Sequence, residues 1–325
     1  MKTSVLISLL VSVIGLPATA SAQVWELAKL NTDQIRSLDR ARTVVIIPGG
    51  ILEQHGPYLP SYADGYWNER LAQELAASVA ARPGWASLVF PSIPLGVGGA
   101  NEIGRKYSYP GTYAVRSATL RSLFMDLASE FGEQSFRWIF VVHGHGAPEH
   151  NRMLDDAGDF FHDEYGGQMV HLMGLGAVLD SEGGLDADVE KADGFSVHAG
   201  AGETSGILFL RPDLVAMGVK TAPDQRGADM NDLVGLAREP QWPGYFGAPR
   251  VASASQGARL FKSASAAASA YALKILDGLD PRTLPRIGDA ALGRPDNVAI
   301  DSDALRATAD RLRRQEEWLA KRKAR

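Results

Sequence analysis

Four of the seven histidines stand beside small residues in short segments that also hold carboxylates, and no cysteine competes with them for a metal. The first segment is Gly49-Gly50-Ile51-Leu52-Glu53-Gln54-His55-Gly56, followed by Pro57, Pro60 and Asp64. In an extended chain Glu53 and His55, two apart, face the same way and can both reach one metal pair. Asp64, beyond a turn bracketed by prolines, can return as a third oxygen ligand. The plain alternative is a solvated loop that holds a carboxylate and an imidazole by chance. The second segment is His143-Gly144-His145-Gly146, where the glycines let a ligand approach the backbone. Its histidines share one side if the strand before them continues; otherwise one binds metal while the other hydrogen-bonds or packs. The third is His198-Ala199-Gly200-Ala201-Gly202-Glu203, a histidine and a carboxylate separated only by small residues. Its plain reading is a glycine-rich connector. With nitrogen and oxygen donors alone, zinc, manganese and iron(II) are the metals to consider.

His150, just past Pro148 at a helix start, reads as a surface or capping residue, and His162 and His171 fall within helix and strand patterns as structural residues. Nucleophile and phosphate motifs are missing: there is no Gly-x-Ser-x-Gly elbow, no Walker loop, and no Gly-x-Gly-x-x-Gly after a strand.

The elements that must position these segments alternate. Thr43–Ile47 is a β-branched run closed by Pro48-Gly49-Gly50 and reads as a buried strand. A helix follows from about Tyr66, with Leu71, Leu75 and Val79 on one face. Further strands are expected at Leu88–Phe90, Trp138–Val142, Met169–Met173 and Ile207–Leu210. Between them, Leu120, Leu123, Phe124, Leu127 and Phe131 form a helical stripe, and Leu154, Ala157 and Phe161 another. The stretch Ser181–Gly202 lacks a period and reads as a long loop. Leu260, Ala264, Ala267, Tyr271 and Ile275 make a small-residue helical face suited to close packing. From Asp303 to Arg325 a charged surface helix is expected, with Leu305, Leu312 and Leu319 one heptad apart. The candidate ligands thus fall just past strand ends, where open α/β sheets collect their ligands.

Composition is that of an ordinary globular protein: 325 residues, 45% hydrophobic, 22% charged. A net charge of -5 leaves no basic excess for a nucleic-acid partner. Lys2, the apolar run Val5–Leu16, Pro17 and Ala20-Ser21-Ala22 read as a secretory signal peptide over residues 1–22, cut before Gln23. The apolar run is too short to span a membrane. The expected destination is the periplasm, without stable membrane insertion after cleavage. Residues 23–300 read as one α/β domain and 301–325 as the charged C-terminal helix.

Taken in order, Glu53-Gln54-His55-Gly56 with Pro60 and Asp64, then Gly144-His145-Gly146, then His198-Ala199-Gly200 with Glu203-Thr204-Ser205, resemble the creatininase family. Tyr109-Pro110-Gly111-Thr112 and Phe246-Gly247-Ala248-Pro249 with Gln256-Gly257 agree with it. The resemblance covers about Thr43 to Leu276. It implies a three-layer α/β/α fold with a mostly parallel sheet and two divalent metal ions per chain, zinc first, with manganese or iron(II) next. It also implies a homo-oligomer and hydrolysis of a C–N bond in a small, non-peptide or cyclic amide by a metal-activated water. Carried over, Glu53 and His145 hold one metal, His55 and Glu203 the other, Asp64 bridges them, and His198 shuttles the proton.

The chain departs from the pattern in places. His143 stands where the family commonly has asparagine, and Ala147 where a glutamate ligand lies, so Glu149 or Glu203 must substitute. Glu102-Ile103 replaces a Glu-His pair, and Arg105, Lys106 and Tyr107 suggest a larger or anionic substrate. Two other readings compete: a linear formamide or peptide-like amide hydrolase on the same fold, and a non-catalytic periplasmic solute-binding protein.

Overall fold

A computed structural model describes residues 23–179, 183–292 and 294–323; the leader expected over residues 1–22 lies outside them. A five-stranded sheet runs β1-β3-β2-β4-β5, parallel throughout. Its strands are β1 (Gln23–Glu26), β2 (Thr43–Pro48), β3 (Ala86–Val89), β4 (Trp138–Val142) and β5 (Gln168–His171). The helices in the first half are α1 (Thr32–Arg36), α2 (Ala63–Ala80), α3 (Ser117–Glu133) and α4 (Pro148–Tyr165). After the sheet come the short α5 (Gly176–Leu179) and α6 (Ala187–Asp193), then α7 (Ala201–Leu210), α8 (Met230–Arg238) and the long α9 (Ala254–Leu276). The chain ends in α10 (Ile287–Leu292) and α11 (Pro295–Lys323).

Strand β2 shows how the sequence makes the layers. All of its residues are buried, and successive side chains leave opposite faces. Val44 and Ile46 meet Leu71 and Leu75 of α2 and Ala264 and Ala268 of α9. Val45 and Ile47 meet Phe124 of α3 and Leu154 of α4. A strand covered on both faces has no polar alternation to show, which is why Thr43–Ile47 reads as a continuous apolar run. The result is the expected three-layer α/β/α arrangement.

Chain order also makes the crevice. From β2 the chain passes through α2 to β3 on one side, then through α3 to β4 on the other. Because α2 and α3 cover opposite faces, the segments after β2 and β4 diverge at the carboxyl ends of adjacent strands. This is a topological switch point, and the Glu53-Gln54-His55 and His143-Gly144-His145 segments both start there.

Several expectations are corrected. Ile207–Leu210 is the end of α7 rather than a strand. Lying between α2 and α9, that helix is apolar on most sides, so its period was hidden. The expected loop over Ser181–Gly202 contains α6 and the start of α7. Only Asp193 of α6 is buried, so no apolar period could mark the helix. Helix α2 starts at Ala63, before Tyr66, and the C-terminal helix begins at Pro295. Strand β1, with Trp25 alone packed toward the core, was not foreseen. The small-residue face of α9 packs inside the chain: Ala264, Ala267, Ala268 and Ala272 are all buried. None of the described helices is long and apolar enough to cross a membrane.

Asp155 on α4 is a buried carboxyl whose Oδ2 makes no hydrogen bond. Burial pushes it up to about 7; Arg286 of α10 works against the shift, while Asp159 and Asp156 on its own helix and Asp289 of α10 add to it. The folded chain therefore holds this proton more tightly than the unfolded one. Its contribution is fully present below pH 4 and is lost as pH rises through 7. Asp155→Asn should be more stable than the parent at pH 8 by about 1 kcal/mol or more, since each tenfold change in proton affinity on folding is worth about 1.4 kcal/mol. At pH 4 the two should differ much less. Urea unfolding at both pH values checks this, and an equal effect at both would refute it.

Candidate metal centre

The residues from the three segments converge. Glu53, Asp64 and His145 form one group of donor atoms within 4.8 Å of one another, and His55, Asp64 and Glu203 form a second. Asp64 belongs to both. It stands in the first turn of α2, directly over the strand ends, and is well covered by its neighbours. Glu53 and His55 come from the extended segment after β2, His145 from the segment after β4, and Glu203 from the first turn of α7.

The imidazoles are oriented by backbone carbonyls. His55 Nδ1 donates to the Glu53 carbonyl (3.0 Å), His145 Nε2 to the Gly98 carbonyl (2.8 Å), and His198 Nε2 to the Gln54 carbonyl (2.6 Å). A carbonyl can only accept, so each contact fixes which nitrogen carries a proton. The remaining nitrogens face the carboxylates. His55 Nε2 is 3.3 Å from Asp64 Oδ1 and 3.6 Å from Glu203 Oε2, and His145 Nδ1 is 3.0 Å from Asp64 Oδ2 and 3.2 Å from Glu53 Oε2. His55 Nε2 and Glu53 Oε2 are buried and make no hydrogen bond. Orphaned donor atoms of this kind are costly unless something coordinates them. A hydrogen bond from the outer ring nitrogen to a carbonyl is the usual support of a metal-bound histidine. The residues present therefore fit divalent cations.

Charge in the cluster is strongly perturbed. Burial pushes Glu53 up to about 7, against the pull of His145 and His55. For His55, burial opposes protonation, but Asp64, Glu203 and Glu53 together raise it to about 10. For His145 the same opposition is overcome by Glu53 and Asp64, to about 9. Asp64 is lowered well below the ordinary carboxylate range: its two histidine neighbours outweigh its burial. Loss of water among the other ligands pushes Glu203 up, although 43% of its side chain still reaches solvent. Three carboxylates in so small a volume demand positive charge.

Of the remaining candidates, His143 is turned away. Strand β4 stops at Val142, so the alternation that would have kept it beside His145 is broken. It lies instead against Ile93 O (2.9 Å) and His150 (3.1 Å). His150 is fully buried, not the expected surface or capping residue, and stacks on His143 with ring centroids 5.0 Å apart. It lies one turn before Leu154, Ala157 and Phe161 on the same helical stripe, which is the signal that could have placed it inside. His171 is buried at the end of β5, and His162 contacts Gly167 O, both as structural residues. Glu203, not Glu149, reaches the donor groups. His198 also lies within ligand range of Glu53 and His55 as a third group, and burial holds its pKa well below the usual imidazole value.

Sequence reasoning missed the supports. Ala100 N–H donates to Glu53 Oε1 (2.5 Å). Asn68 Nδ2 donates to both Gly49 O (2.8 Å) and Gly144 O (2.9 Å), tying together the two diverging strand ends. Asp193 Oδ1 accepts from Ala201 N–H and Ala248 N–H (2.9 and 2.6 Å), anchoring the start of α7. Arg105, Lys106 and Tyr107, expected near the substrate, are engaged elsewhere. Arg105 pairs with Asp303 (2.5 Å), Lys106 donates to Ala237 O and Glu239 O (both 2.7 Å), and the Tyr107 carbonyl accepts from Arg311.

A family model described as "Creatininase: Creatinine amidohydrolase" matches residues 28–272, most of the chain and every residue of the donor groups. The chain belongs to the creatininase family. Creatininase-family members are metal-dependent amidohydrolases that bind divalent metals such as zinc or manganese. Among curated relatives, a "Mycofactocin precursor peptide peptidase" of Mycolicibacterium smegmatis is 29% identical over 247 residues, covering 71% of this chain and 85% of its own length. A "Creatinine amidohydrolase" of Pseudomonas putida is 28% identical over 186 residues, covering 53% of this chain and 66% of its own. A solved structure titled "Creatininase Mn" superposes with a TM-score of 0.59 at 21% identity, over 78% of this chain and 99% of that one. At that identity the likeness speaks to the fold, and it agrees with the parallel sheet and its flanking helices.

Proposed function

We propose that this creatininase-family chain hydrolyses the C–N bond of a linear, peptide-like amide at a pair of divalent cations. Glu53, His145 and Asp64 would hold the first cation, and His55, Glu203 and Asp64 the second. The observation that carries the reading is the pair of donor groups sharing Asp64, with imidazoles already turned inward by backbone carbonyls. Bound there, the cations supply Lewis acidity toward the amide carbonyl and toward a water.

The chain's own residues do the rest. Asp64 joins the two groups, and Ala100 N–H keeps Glu53 in place. His198, with Nε2–H committed to Gln54 O, presents a lone pair on Nδ1, 3.6 Å from Glu53 Oε1. That nitrogen takes up a proton and delivers it to the leaving amine. Beside Asp64, His145 and Glu203 opens a cavity of about 360 Å³, within the range of pockets that take drug-sized ligands. That size supports an amide bearing a substituent over a compact cyclic one. The wider coverage of the peptidase relatives supports a linear substrate as well. We further propose that residues 1–22 direct export, with zinc as the first metal to test.

Elemental analysis should find about two divalent ions per chain, and a panel of cyclic amides, formamides and dipeptides should show chelator-sensitive hydrolysis confined to linear members. Failure to take up stoichiometric zinc, manganese or iron(II) on reloading would sink the mechanism. His198→Ala should retain its metal while turnover falls by roughly 10²–10⁴, the usual worth of a positioned acid–base group. Loss of metal in that variant would make His198 a ligand instead, as its place in the third donor group allows.

A further inference from the structure

The cavity beside the metal centre is lined by two unlike sets of residues. Its lining combines Asp64, His145 and Glu203, with the amides of Asn68 and Asn151, and an apolar set of Trp67, Met173, Ile207, Leu260 and Ile287. Among the described residues no other charged side chain lines it, and Arg105 and Lys106, the sequence's candidates for meeting an anion, are paired elsewhere. Four of the apolar residues lie within the family match, which ends at residue 272; Ile287 lies beyond it.

Ile287 is held in place from both sides. Arg286 grips Asp159 of α4 through two parallel bonds of 2.7 Å and bridges to Leu175 in the backbone. Gly176 N–H donates to Pro285 O (2.9 Å). On the other side, Gly288 packs so closely on α4 that a Cβ there would lie 3.1 Å from Arg152 N. Helix α11 ties α10 down in turn, with Asn297 Nδ2 on Ala291 O (2.9 Å). With its neighbours on both sides fixed in this way, the backbone of Ile287 is held at its place in the cavity lining.

We propose that Ile287 is the specificity-determining residue of this chain, the end wall that sets how large an uncharged apolar group the amide may carry. The proposal rests on the assignment of this cavity to the amide substrate. The group enters with its amide toward Asp64, His145 and Glu203 and its side chain toward Trp67 and Ile287. In a neighbour lacking a residue at this place, the same cavity would be open-ended.

The test uses the full metal-loaded chain and a series of hydroxamates bearing methyl, isobutyl, benzyl and naphthylmethyl groups, with affinities measured by calorimetry. Hydroxamates grip divalent cations without being cleaved, so the readout does not depend on turnover. Ile287→Ala should shift the naphthylmethyl-to-isobutyl affinity ratio about tenfold toward the larger group, and Ile287→Trp about tenfold the other way, within the range a methylene-scale change commands. Metal content should be unchanged in both. The same size profile in all three proteins, or no hydroxamate binding by any, overturns the proposal. A profile that follows residue 287 in a protein that cleaves no amide would support the wall and refute the hydrolase reading.

Discussion

Asp64→Ala should leave a chain that folds but holds its cations at least about a hundredfold more weakly, with amide hydrolysis lost. Removing even an outer support of a metal ligand costs about 10–100-fold in affinity, and Asp64 is shared by both donor groups. The substitution also strips His55 and His145 of the carboxylate that holds them, at 3.3 and 3.0 Å. Both cations should therefore go together, whereas Glu203→Ala should release one. Elemental analysis of the two variants side by side, with circular dichroism to confirm folding, makes the comparison. If Asp64→Ala kept both ions, the bridging role would be wrong.

The second large effect is expected at a helix contact behind the donor groups. Helices α7 and α9 pass so close that a Cβ on Gly257 would lie 1.9 Å from the carbonyl oxygen of Ser205. Backbone cannot yield as a side-chain tip can, so Gly257→Val must push the helices apart. Overpacking of this kind costs about 3 kcal/mol, or roughly 6 °C in melting temperature. Ser205 is two residues beyond Glu203, so the displaced helix should also draw Glu203 away from His55, 3.6 Å distant. The expected result is lower stability with one cation retained, because Glu53, Asp64 and His145 do not depend on α7. An unchanged melting temperature would refute the close-packing argument.

How much of this was legible follows from where the signals lie. The strand Thr43–Ile47 and the helix bearing Leu71, Leu75 and Val79 could be read because burial on two faces, or on one stripe, leaves a period in the sequence. Glu53, His55, Asp64, His145 and Glu203 could be singled out because glycines and prolines beside charged ligands are unusual. Their partition into two groups sharing Asp64 came from the resemblance, and the structure arranges them in that way. Helix α7 could not be read, since burial between α2 and α9 erased its polar face. Asn68, Asp193 and the carbonyls of Gln54 and Gly98 were invisible for another reason: their partners are distant in the chain, and a hydrogen bond across 76 or 144 residues leaves no local mark. His150 was misplaced because the stripe it belongs to was read one turn too short.

The donor groups also differ in when they can exist. The first group joins His145 to Asp64 across 81 residues, whereas the second must reach from the segment after β2 to Glu203 in α7. Contacts of that separation form late, after the chain between them has collapsed. By that measure the second site is expected to close after the first.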